Sequence, residues 1–115
     1  MSGRGLDFDS VLRMGLALPR VKEGTAYGKP ALKIDGKLLA SIPANRSVEP
    51  QSLVVRVSFN DRTELLAADP RVYYLTDHYT DFDAVLVRLG RVTPDVLRDL
   101  LAMAYKYVTR TTAPK

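Results

Sequence analysis

Residues 73–91 read YYLTDHYTDFDAVLVRLGR, and the fold turns on how this stretch is taken. Its second half, Ala84 to Leu89, is a short, β-branched apolar run flanked by turn residues, which by length and residue type is a buried strand. Side chains alternate along a strand, so Val85, Val87 and Leu89 fall on one face and Leu86 and Arg88 on the other. The run leads directly into the best helix of the chain. Thr93 is its N-cap and Pro94 its first residue, where a missing N–H costs nothing. Val96, Leu97, Leu100, Leu101, Ala104, Tyr107 and Val108 then form one broad apolar stripe, which has to lie on a sheet face.

The sheet is legible upstream. Asp35-Gly36 parts the two apolar runs of ALKIDGKLLASI, residues 31–42, and marks a hairpin, because tight primed turns need positive φ and these two residues adopt it most readily. A two-residue turn pairs Leu32 with Leu39; a three-residue turn with a glycine bulge pairs Leu32 with Leu38. Either register leaves Lys29, Ala31 and Lys33 on one face. Val21 to Tyr27 reads as a short edge strand. Leu53 to Phe59 alternates, with Leu53, Val55, Val57 and Phe59 on an apolar face and Val54, Arg56 and Ser58 on a wet one.

Between these strands, PANRSVEPQS at residues 43–52 is turn and loop chemistry throughout. Asp7 caps a first helix running from Phe8 to Leu18, where Pro19 stops it. Asp61 and Glu64 have the spacing of a capping box and open a short helix that ends before Asp69-Pro70. Val72 to Leu75 is extended. The expectation is one α+β domain over residues 1–115, ordered from about 7 to 110 with a frayed tail at 111–115. A single antiparallel sheet of about five strands carries the N- and C-terminal helices on one face, with a short helix in the middle.

Composition narrows the function classes. There is no cysteine, which removes disulfides, thiolate chemistry and sulfur-based zinc sites and fits a reducing compartment. No segment approaches the roughly 20 apolar residues of a membrane span, and the opening MSGRGLDF is no signal peptide, so the chain reads as cytoplasmic with no membrane partner. The net charge is +4 and arises in residues 1–60, while residues 61–115 balance. An excess of this kind suits a polyanion partner, and it also serves ordinary solubility.

Catalytic signals are thin. His78 is the only imidazole and sits among Asp77, Tyr79, Asp81 and Asp83. A general base there has no serine elbow or phosphate loop to serve, and a calcium loop needs closer alternation of acids and a glycine. The reading is therefore non-enzymatic, with no catalytic residue, no metal and no cofactor. The cations form the stronger constellation. If helices cover one side of the sheet, the free side carries Lys29, Lys33, Arg56 and Arg88, flanked by Lys37 at the hairpin tip and Arg46 on the loop, a surface able to track phosphates. Stacking aromatics are missing from these strands.

These residues carry a resemblance. ALPRV at 17–21, YGKPALKIDGKLLA at 27–40, DRTELLAADPRVY at 61–73 and HYTDFDAVLVRLGRVTPDVLRDLLAMAY at 78–105 together resemble the MmcQ/YjbR family of small bacterial proteins. The likeness implies an antiparallel sheet covered by helices on one side, an architecture compared with frataxin-like (CyaY-like) proteins and with secretion chaperones. It also implies DNA binding through a double-wing arrangement, a description that rests on fold. The wings here are the Asp35-Gly36 hairpin and the 43–52 loop, with Lys33, Lys37 and Arg46 on the phosphates. The acids at Asp81 and Asp83 stand where relatives often carry a glycine-containing loop, and would repel a phosphate backbone. The chaperone-like fold implies the alternative, a protein or small-molecule partner, to which tyrosines such as Tyr105 on the last helix would be exposed.

Overall fold

The computed structural model describes residues 6–45 and 47–112. The Asp7 carboxylate accepts from the Ser10 N–H at 3.1 Å and opens α1 (Phe8–Leu16). The chain then zigzags through β1 (Val21–Ala26), β2 (Lys29–Ile34), β3 (Lys37–Ser41) and β4 (Ser52–Arg56) before α2 (Phe59–Ala68). After β5 (Tyr73–Tyr74) come a one-turn 3₁₀ helix (Asp77–Tyr79), β6 (Ala84–Arg88) and α3 (Pro94–Thr112). The sheet has six strands, one more than expected, in the order β1-β2-β3-β4-β6-β5, all paired antiparallel.

Two hairpins build its first edge. Asp35 and Gly36 both have positive φ, 51° and 81°, and form a two-residue turn that pairs Ile34 with Lys37. Tyr27 and Gly28, at 53° and 79°, repeat that geometry between β1 and β2. Neither sequence register survives along β3, because a bulge between Leu32 and Lys33 moves the partner of Leu32 to Ala40. The bulge seats both Leu39 and Ala40 in the core beneath the helices.

Helices α1 and α3 close that face over Leu32, Ile34, Leu53, Val55, Val85 and Val87, with Val11, Leu97, Leu100, Leu101 and Ala104 meeting them from above. Val96, placed by periodicity in the same stripe, is instead 41 % exposed. Thr93 caps α3 through its hydroxyl, 3.3 Å from the Val96 N–H. The helix extends to Thr112; residues 113–115 of the expected frayed tail lie outside the described residues. Strand β4 stops at Arg56, since Ser58 accepts from the Asp61 N–H and is the N-cap of α2. Phe59 is therefore the first residue of α2, not the end of an apolar strand face.

The larger departure concerns the second face. Val54 and Leu86 point away from the helices yet are 5 % and 0 % exposed. With Ala84 they form a small second core, covered by Val48 from the 43–51 loop, Tyr74 from β5 and Tyr79 from the 3₁₀ turn. Two apolar side chains on the side read as wet need cover, and the flanking loops supply it.

Candidate nucleic-acid interface

The expected cationic side separates into two chemistries. Arg56 and Arg88 are committed. Arg88 forks onto both carboxylate oxygens of Glu49 at 2.8 and 2.7 Å and donates to the carbonyls of Pro70 and Arg71. Its guanidinium lies 4.3 Å from the centroid of the Tyr74 ring. The Arg88 bond holds the Glu49 carboxyl below the usual carboxylate range, as a bidentate charge-assisted pair should. The Tyr74 hydroxyl in turn meets the Ser52 hydroxyl and accepts from the Glu49 N–H at 2.9 Å, so this cluster fastens the 43–51 loop to the sheet.

Arg56 donates to Asp83 Oδ2 at 2.8 Å, and the Tyr107 hydroxyl of α3 donates to the same oxygen at 2.7 Å. Burial pushes the Asp83 carboxyl up, but these two bonds outweigh it and hold the group below its ordinary value. The same bond raises the Tyr107 phenol. Asp83 therefore neutralises a strand arginine, where the sequence suggested an acid facing a phosphate backbone.

The lysines behave differently. Four of the six lysines fall within residues 22–37, and the five ion pairs among the described residues all use arginine. Lys22 stands opposite Lys33, and Lys29 opposite Ala26, which puts Lys22, Lys29 and Lys33 on the side of the β1–β2 hairpin away from the helices. Lys37 pairs with the core residue Ile34 and so leaves toward the helical side at the hairpin tip. Arg46 lies outside the described residues. The structure thus groups Lys29 and Lys33, adds Lys22, and assigns Arg56 and Arg88 to holding the fold.

Beside this lysine strip is a cleft of about 450 Å³, within the size range of small-ligand sites. Leu38 and Val54 of the sheet line it, together with His78 and Tyr79 of the 3₁₀ turn, Phe82, and Tyr27 of the first hairpin turn. His78 meets Tyr79 edge-on at 4.8 Å and Phe82 at 5.8 Å between ring centroids; no hydrogen bond among the described residues joins it to Asp77 or Asp81. Tyr27 is 91 % and Phe82 50 % exposed. Burial, with Tyr74 and Tyr27 nearby, raises the Tyr79 phenol. The sequence reading missed these rings because they come from a turn and a loop, and only the Tyr27-Gly28 dipeptide hinted at a turn. Tyr105, expected outside, packs against the main core and donates to the Pro19 carbonyl at 3.0 Å.

The model of the YjbR family matches residues 16–107. The crystal structure of Deinococcus radiodurans protein DR2400, with a domain described as DUF419, superposes with a TM-score of 0.77 at 21 % identity, covering 99 % of this chain and 86 % of that one. At that identity the likeness is one of fold. A search of the curated proteins finds no match. Among the described residues no helix is long and apolar enough to cross a membrane.

Proposed function

The chain belongs to the YjbR family, and on that premise we propose that it is a non-enzymatic nucleic-acid-binding domain that takes DNA phosphates on the lysines of its first hairpin. The observation that carries this reading is the placement of Lys22, Lys29 and Lys33 on one side of β1 and β2, with no ion pair to any described residue. An unpaired lysine is free to exchange its counterion for a phosphate, whereas Arg56 and Arg88 would first have to give up carboxylates. The family description as DNA-binding and the +4 charge of the chain point the same way. The cleft also favours a second reading, a small-molecule or protein partner held without nucleic acid.

Anisotropy of labelled duplex DNA at a series of salt concentrations tests the proposal. Replacing Lys22, Lys29 and Lys33 together by Ala should weaken binding at low salt and flatten the log–log salt slope by roughly 0.9 for each phosphate no longer neutralised. Absence of binding at low salt, or a slope the triple variant leaves unchanged, would sink it.

A further inference from the structure

Resting on that reading, we infer that the cleft beside the lysine strip receives an unstacked base, so that the domain's preferred ligand is single-stranded nucleic acid rather than duplex. Non-specific single-strand sites combine a cationic track for the backbone with aromatic faces for the bases. Both are present and adjacent. Tyr27 is separated from Lys29 only by Gly28, and Leu38, on the cleft floor, is the cross-strand neighbour of Lys33. A strand whose phosphates follow the lysines therefore has its bases turned toward the cleft.

The rings are set for a planar guest. Tyr27 stands almost wholly in water and makes no ring contact with any described residue, although an exposed aromatic at a turn contributes nothing to the core. Its turn geometry is imposed by the positive φ of Tyr27 and Gly28, a conformation a tyrosine adopts only at a cost. Phe82 lines the same cleft and is half exposed. The backbone that carries it is held in place because Arg62 donates to the carbonyls of Phe82 at 2.7 Å and Thr80 at 3.0 Å. Arg56 and Asp83 also line the cleft but are spent on each other, so the rings and not this pair would hold the base. A duplex, with its bases stacked inside, cannot enter such a cleft.

Binding of a short labelled pyrimidine oligonucleotide to the full chain is compared with that of an abasic strand of equal length and with duplex. The intact strand should bind roughly tenfold or more tightly than the abasic one, and Tyr27→Ala and Phe82→Ala should each weaken it by a similar factor while leaving the duplex salt slope unchanged. Tyr27→Phe should retain the affinity. The chain has six tyrosines and no tryptophan, so stacking should also quench tyrosine emission, less in Tyr27→Phe. Equal binding of intact and abasic strands, or affinity indifferent to both ring deletions, overturns this inference while leaving phosphate binding by the lysines intact. No binding of any polyanion overturns both. If Tyr27→Ala weakens an apolar dye such as anilinonaphthalene sulfonate but not the oligonucleotide, the cleft belongs to an apolar ligand and the inference fails.

Discussion

Asp83 ties together two elements distant in sequence. One oxygen takes Arg56 from β4 and Tyr107 from α3, and its neighbours Phe82 and Ala84 are secured by Arg62 from α2. Its carboxyl is held below the ordinary value of 3.8, so the folded state favours the ionised form. That stabilisation is present above the unfolded value and is lost as pH falls through the lowered folded one. Asp83→Asn should cost about 1–2 kcal/mol at neutral pH, the scale of hydrogen bonds to a charged group that retains some solvent. In denaturant titrations the gap between the two proteins should narrow below about pH 4; a gap constant down to pH 2 would contradict the assignment. Glu49, in contrast, is paired at the surface, where screening leaves little net stabilisation.

Helix α1 passes close over β2 at Gly15. A Cβ built on Gly15 would press into the side chain of Leu32, which is fully buried. The glycine is thus a spacer that lets the helix approach the strand. Gly15→Ala gains helix propensity of roughly 0.8–1 kcal/mol, while overpacking a filled core costs about 1–3 kcal/mol. The expected outcome is net destabilisation, read as a lowered Tm, and restored in part by Leu32→Val, which removes a methylene at the contact. A gain in stability from Gly15→Ala alone would show that Leu32 moves aside freely. Each hairpin turn places a glycine at its second positive-φ position, where there is no Cβ to strain, while the first is taken by Asp35 in one and, at a cost, by Tyr27 in the other.

At the scale of the whole molecule the sheet has unequal covers. Helices α1 and α3 close one face over a large core, and the other is closed by a loop, a 3₁₀ turn and the small cluster around Val54 and Leu86. Regions that bury little apolar area open locally at lower free energy. Amide exchange should therefore be faster in residues 47–51 and 77–82 than in β4 and β6 beneath them. Arg62→Ala, which frees the carbonyls of Thr80 and Phe82, should accelerate the second segment further while sparing the first. Equal protection of loops and strands would mean that the second core is as cooperative as the first.

Much was determined by sequence alone, because it depends on local chemistry. The Asp35-Gly36 turn, the Asp7 and Thr93 caps, the strand read over Ala84 to Leu89, which the structure ends at Arg88, and the amphipathic α3 follow from φ preferences, orphan N–H groups and side-chain periodicity. The family likeness followed from their order. Tertiary structure decided what those rules cannot reach. The partner of Leu32 depended on a bulge that serves core packing. Ser58 competed with strand propensity and won, taking Phe59 into a helix. Arg56 and Arg88 look like free cations in a strand and become neutral pairs only because Asp83 and Glu49, distant in sequence, arrive beside them. Periodicity states which way a side chain points, but long-range contact determines whether its charge or its ring is already taken, and so which side of this sheet remains open to a ligand.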